Sequence, residues 1–172
     1  HYICRSGPRT KPVPELIAKW KDFDMQGALT KKFGVPSLVL NDAEVAASGI
    51  VTGQGLEFFM TLGTGLGTAL VDRGILAPHL EISHAPMRWG LTFDDVLGEH
   101  ERRRLGDSAW SRRVLRAIEL LYPVLRWDTI YIGGGNASRI SPQARERIPE
   151  ANFVSNAAGM SSGVRAWSLS GR

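Results

Sequence analysis

The stretch LEFFMTLGTGLGTALVD, residues 56–72, decides how this chain is read. An apolar run over 56–62 leads into three closely spaced glycines, Gly63, Gly65 and Gly67, and a second apolar run follows over 68–72. The pattern predicts strand, loop, strand. Two familiar phosphate loops can be tested against it. A Walker A loop needs a lysine after its last glycine, and the dinucleotide fingerprint needs G-x-G-x-x-G opening a helix, whereas the spacing here is G-x-G-x-G. Neither fits. Two readings remain: a glycine-softened hairpin, or a cradle in which the backbone around Gly63, Thr64, Gly65 and Gly67 meets an anion, with the Thr64 and Thr68 hydroxyls adding hydrogen bonds.

Working outward, Asp24 is placed to cap a helix over MQGALTKKF (25–33), which Gly34 and Pro36 end. PSLVL (36–40) reads as a buried strand running into Asn41 and Asp42, and the small residues of DAEVAASGI, from Asp42 on, predict a tightly packed helix. After the hairpin, DRG marks a turn and ILAP a short strand. TFDDVLGEHERRR and DSAWSRRVLRAIELLYPVL read as helices with Thr92 and Asp107 as N-caps. In the second of these, Trp110, Val114, Ala117, Ile118 and Leu121 fall on one face, opposite Arg112, Arg116 and Glu119. DTIYIGGGNA is a strand ending in Gly133, Gly134, Gly135 and Asn136. SPQARERI is a short helix, NFVS a strand, and AAGMSSGVRAW a last helix. Strands alternate with helices and hairpins, as in an α/β fold.

The 172 residues, 43% hydrophobic and 22% charged, suit a globular protein. No apolar run approaches the roughly 18 residues a spanning helix needs, and no apolar leader is visible, so no membrane association and a cytoplasmic location are expected. The single cysteine, Cys4, excludes an internal disulfide and a multi-cysteine zinc site. The formal charge of +4 admits an anionic partner, and Arg102, Arg103, Arg104, Arg112, Arg113 and Arg116 form the basic cluster. That cluster is either a solvated face or an anion guide. No zinc-finger or aromatic RNA-binding pattern is present, so nucleic acid is not an expected partner.

Three polar groups are candidates for chemistry. Asp42, at the end of one element and the start of a helix, can act as a proton acceptor beside Asn41, or simply cap that helix. Glu81 and His84 in LEISHAP can grip neighbouring hydroxyls of a polyol, or lie solvated on the surface. Gly133 to Asn136 suit a nucleotide lying across the backbone, or a tight turn.

The order of these features carries more than any one of them. LNDAEVAA, TLGTGLG, E-x-x-H, IGGGN and SNAAGMSSGVRAW, with W-x-x-F-D (Trp20, Phe23, Asp24) before them, resemble the ROK-family sugar kinases of the actin-like ATPase superfamily. The polyphosphate glucokinase-like branch is the most similar, and the resemblance covers about residues 20–167. It implies an α/β chain, the C-terminal domain of the actin-like ATPase (ribonuclease H-like) fold with a mixed sheet flanked by helices, over 42–172. Residues 1–41 would be a tail and a remnant of the first domain. The implied activity is that of a carbohydrate kinase, transferring a phosphoryl group from polyphosphate or ATP to the 6-hydroxyl of glucose or a related hexose.

In that resemblance Asp42 is the general base, and Asn41, Glu81 and His84 hold the sugar. Gly63, Thr64, Gly65 and Gly67 hold the donor phosphates, and Gly133, Gly134, Gly135 and Asn136 border the nucleotide or polyphosphate chain. Mg2+ accompanies the phosphoryl donor, zinc is not expected, and a homodimer is a permitted assembly. The departures from the family pattern are the lack of a D-x-G-x-T loop, Ala157 where an acidic residue is often found, and Ser83 in place of a small glycine or alanine. The first of these leaves a second reading open, a non-catalytic sugar- or phosphate-binding remnant of such a kinase.

Overall fold

The computed structural model describes residues 23–155 and 163–170. Residues 1–15, Trp20, Ala157 and the first part of the expected last helix lie outside them. The chain divides into two compact units, His1–Asn41 and Asp42–Arg172.

In the first unit, helix α1 (Met25–Phe33) begins and ends as its residues require. Asp24 accepts the Gly27 N–H at 2.9 Å, and Gly34 closes the helix in the left-handed region (φ 67°) with its N–H on Thr30 O. Residues 36–40 are not the strand that their apolar character suggested. Two of their N–H groups go to helix side chains instead of a ladder: Ser37 N–H donates to Thr30 Oγ1 (3.1 Å) and Val39 N–H to Gln26 Oε1 (3.3 Å).

The second unit starts with helix α2 (Asp42–Ser48) and the hairpin β1 (Leu56–Leu62) and β2 (Leu66–Asp72), paired antiparallel with Leu62 opposite Leu66. The turn at Arg73 and Gly74 leads to β3 (Ile75–Leu76). After a single 3-10 turn (Ile82–His84) come a small separate hairpin, β4 (Pro86–Arg88) and β5 (Leu91–Thr92), and helices α3 (Phe93–Leu97), α4 (Glu99–Leu105) and α5 (Asp107–Leu125). Strand β6 (Thr129–Gly133), helix α6 (Pro142–Arg145), β7 (Asn152–Phe153) and α7 (Gly163–Leu169) complete the unit. The sheet order is β3-β2-β1-β6-β7, antiparallel on one side of β1 and parallel on the other. This is the mixed sheet flanked by helices that the fold class requires. No described helix is long and apolar enough to cross a membrane.

Two-sided burial explains why β1 is almost continuously apolar. Phe58, Met60 and Leu62 point to one face, where they pack with Trp110, Val114, Ile118 and the α3 residues Val96 and Leu97. Phe59, Ala69, Val71 and Tyr131 point to the other, toward Ala47, Val51 and Leu169. The expected apolar face of α5 is buried as read, and Trp110 Nε1 donates to Leu97 O (2.9 Å), locking α5 to α3. Asp107 is not the cap of α5. It is the first helical residue, Gly106 precedes it, and its carboxylate is drawn to Arg102 instead. Thr92 does cap α3, in a reciprocal box with Asp95, but the long helix expected after it breaks at Gly98.

One charged group lies wholly inside. Glu57, 0% exposed, accepts from Thr52 N–H (2.7 Å), Thr52 Oγ1 (3.0 Å), Gly53 N–H (2.7 Å) and Tyr131 OH (2.9 Å). Burial alone would push its carboxyl up, yet the donors from Thr52, Tyr131 and Gly53 together outweigh it and hold the group below the usual carboxylate range. A carboxyl lowered in the fold contributes stability above its unfolded pKa and loses it as pH falls through the folded value. Glu57→Gln therefore destabilises the chain by about 2 kcal/mol at pH 7, and the gap to the parent narrows as the pH is lowered; urea unfolding at several pH values measures both.

Candidate functional site

Two of the candidate segments, the 63–65 turn and residues 133–136, meet where β1 and β6, which run parallel, both reach their carboxyl ends, with Thr61 opposite Gly133. The glycine hairpin, residues 63–65, is not a loose turn. Gly63 O accepts from Glu99 N–H (3.1 Å) and from Asn136 Nδ2 (3.1 Å), Thr64 O accepts from Glu99 N–H (3.2 Å), and Gly65 O accepts from Gly63 N–H (3.0 Å). Every carbonyl of the turn is thus taken. Among the described residues no group accepts from the N–H of Thr64 or Gly65. A turn with occupied carbonyls and open amides is the polarity an anion requires.

None of these three glycines has a positive φ, and a Cβ on Gly63 would meet nothing within 4 Å, so the steric demand falls on Gly65 and Gly67. A Cβ on Gly65 would lie 2.0 Å from Asp94 Oδ1. On Gly67, within β2, it would lie 2.5 Å from Thr61 Oγ1 and 3.1 Å from Ala43 Cβ, so Gly67 is what lets the start of α2 press onto the sheet. Gly98, where the expected long helix breaks, is equally forced: its Cβ would meet Thr64 O at 2.7 Å and Asp94 O at 2.8 Å. The break brings the N–H of Glu99 onto the hairpin.

The YIGGGN segment meets the same hairpin from β6. Gly134 (φ 91°) lies so close to the Leu62 peptide that a Cβ would stand 2.3 Å from Leu62 O, and Asn136 N–H donates to Leu62 O (2.9 Å). Gly133 is packed by Val154 and Phe59, whereas Gly135 faces open space. Asn136 is buried, and its amide is divided between Gly63 O and Glu99 Oε2 (2.8 Å). It serves as a clamp on the turn.

Asp42 is the first residue of α2, exposed, with Oδ1 on Ala43 N–H (2.8 Å). Asn41 belongs to the other unit and precedes it directly in the chain. Glu81 precedes the 3-10 turn and His84 is its last residue, with the segment tied to β2 by the Thr68 hydroxyl donating to Leu80 O (3.4 Å). Glu81 accepts from Ser83 Oγ (2.5 Å) and contacts His79 Nε2 (3.2 Å). Burial would raise its carboxyl, but Ser83, His79 and the charge of His84 hold it below the ordinary range.

No local pattern in the chain marks Asp94. Its Oδ1 accepts Leu66 N–H (2.7 Å) at the root of the hairpin, and burial, despite that bond and the nearby His84, pushes its carboxyl up, with Asp95 and Glu81 adding to the rise. TFDD was read for its cap alone, and one of its two aspartates serves that cap. Glu99 was likewise missed as a structural hub.

The basic cluster is largely neutralised. Arg102 and Arg103 share Glu99 (2.7 and 2.5 Å), Arg104 pairs with Glu101 (2.6 Å), Arg113 also meets Glu101, and Arg116 pairs with Glu119 (3.2 Å). The Arg102 hydrogen bond, with Arg103 and Asn136, lowers Glu99 to about 2, and Arg104 with Arg113 does the same to Glu101. Of the six arginines only Arg112 lacks a carboxylate among the described residues. Among those residues, too, no three His, Cys, Asp or Glu side chains gather as metal ligands.

No family model matches the chain. It is similar to the polyphosphate glucokinase of Mycobacterium leprae, 28% identical over 144 residues that cover 71% of this chain and 41% of that protein. The chain spans about two fifths of the length of the curated relatives it matches. Among solved structures it resembles the inorganic polyphosphate/ATP-glucomannokinase of Arthrobacter sp. strain KM, at 25% identity and a TM-score of 0.65, covering 88% of this chain and 63% of that one. A ROK family glucokinase from Streptomyces griseus shares the fold, at 18% identity and a TM-score of 0.51, with 82% of this chain and 70% of that one covered.

The contact between Gly65 and Asp94 predicts a coupling that thermal unfolding can read. Gly65→Ala forces the Asp94 carboxylate off Leu66 N–H, while in an Asp94→Ala background the added methyl finds space. The two substitutions together should then cost less than the sum of the single losses, by about 1 kcal/mol.

Proposed function

Taking the chain as a member of the ROK-family sugar kinases, on their polyphosphate glucokinase-like branch, we propose that it transfers a phosphoryl group from polyphosphate or ATP to the 6-hydroxyl of glucose. Phosphoryl transfer needs in-line positioning, charge stabilisation and a placed base, with little covalent help from protein. The residues of this chain divide along those lines. Asp42 takes the proton of the attacking hydroxyl, and Asn41, Glu81 and His84 hold the remaining sugar hydroxyls. The amides of Thr64 and Gly65 and the Thr64 hydroxyl receive the donor phosphate. Gly67 serves this arrangement by letting α2 sit close, and Gly133, Gly134 and Gly135 border the rest of the donor.

The observation that carries the reading is the polarity of the 63–65 turn: its carbonyls are bound by Glu99 and Asn136, and its amides are open. It lies beside the start of α2, since Ala43 packs against Gly67. Magnesium would come with the donor and offset the phosphate charge. With Asp94 Oδ1 engaged by Leu66 N–H and no metal-ligand cluster among the described residues, the donor's phosphate oxygens would be its main ligands.

The test is a coupled glucose phosphorylation assay with ATP and, separately, with polyphosphate. Asp42→Ala and Asp42→Asn should lower kcat by about 10²- to 10⁴-fold, the usual worth of a general base, with little change in stability. Undiminished turnover in Asp42→Ala would overturn the assignment. Glucose binding in the parent chain without turnover would make it a sugar-binding module instead.

A further inference from the structure

Glu81 has a partner that the resemblance does not supply. His79 stands between two carboxylates, its Nδ1 3.1 Å from Glu44 Oε1 and its Nε2 3.2 Å from Glu81 Oε2. Glu44 is buried on α2, two residues after Asp42, with its side chain only 8% exposed. Glu81 is about half exposed, and its other oxygen takes the Ser83 hydroxyl at 2.5 Å. An ionised carboxylate only accepts hydrogen bonds, so each contact uses a ring N–H, and the ring makes both at once when both nitrogens carry protons. Two long-range pieces of chain, the helix of the candidate base and the segment of the candidate sugar carboxylate, are thereby joined through one imidazole.

We infer that His79 is a positioning residue: anchored at Nδ1 by Glu44, it holds the Glu81 carboxylate at Nε2 in the orientation that receives two sugar hydroxyls. The inference rests on the proposed sugar site. Without the ring, among the described residues Glu81 keeps only Ser83, a donor two residues away on the adjoining 3-10 turn, which cannot fix it relative to α2. Glu44 would lose its contact to that segment as well. Ser83 itself completes the hold from the second oxygen. The groups facing Glu81 are thus His79, Ser83 and, by charge, His84, while Asp94 repels it from the hairpin side.

Histidine has two conservative substitutes that separate its nitrogens. Glutamine carries an amide N–H2 near the Nε2 position and asparagine one near the Nδ1 position. Glucose binding by calorimetry should weaken roughly tenfold in His79→Ala and His79→Asn and recover most of the way in His79→Gln. In active preparations the change should fall on KM for glucose with kcat little altered. The Glu81 carboxyl, followed by 13C NMR, should titrate at higher pH in His79→Ala than in the parent, because a hydrogen bond and a positive charge have been removed. Equal glucose affinity in the three variants, or an unmoved Glu81 titration, would overturn the inference. If the parent binds no glucose, the proposed sugar site falls and the Glu81 titration alone decides the role of His79.

Discussion

The hydrogen bonds that hold Gly63 O are the constraint on which the site depends. Glu99 N–H comes from the helix after the Gly98 break, and Asn136 Nδ2 comes from the turn after β6, so two elements distant in sequence meet at one carbonyl. Neither could approach without a glycine. Gly98 lies against Thr64 O and Gly134 against the Leu62 peptide, at distances no side chain permits. The turn is stiffened from outside, its carbonyls are consumed, and no described group accepts from the amides of Thr64 and Gly65. Such preorganisation is what electrostatic stabilisation of a transferring group requires.

The same hub settles how the arginines behave. Glu99 holds the hairpin through its N–H and at the same time takes Asn136, Arg102 and Arg103 on its carboxylate. Arg102 passes on to Asp107 at the start of α5, and Arg113 on α5 returns to Glu101 on α4. The guanidinium groups of this region therefore fasten α4 to α5 and to the turn. A polyanion drawn to them would compete with carboxylates already lowered to about 2. Their positive charge is engaged by the carboxylates that support the 63–65 turn and join α4 to α5.

Much of this was legible from residue order. The hairpin 56–72 carries its own strand periods and turn, Asp24 and Gly34 carry both ends of α1, and Trp110 to Leu121 carry the buried face of α5. Each of these is decided within about one turn or one strand of chain. What was not legible depends on partners far away. Residues 36–40 have strand composition, yet Thr30 and Gln26 take the Ser37 and Val39 N–H groups that a ladder would use. Asp107 has the chemistry of a cap, yet Arg102 claims it. The glycines were recognisable as a close approach, but the approaching bodies, Asp94, Ala43 and the Glu99 amide, come from elsewhere in the fold. Asp94 and His79 were missed because no local pattern marks a carboxylate under a turn or an imidazole between two acids.

Whether the amides of Thr64 and Gly65 receive phosphate while the arginine helices serve as scaffold is read by titrating the 15N-labelled chain with tripolyphosphate and magnesium, following every assigned amide and arginine side-chain resonance. Thr64 and Gly65 should move first and farthest, with Arg102, Arg103 and Arg104 Nε signals nearly still. Large shifts at those arginines with an unmoved 63–65 turn would contradict that assignment.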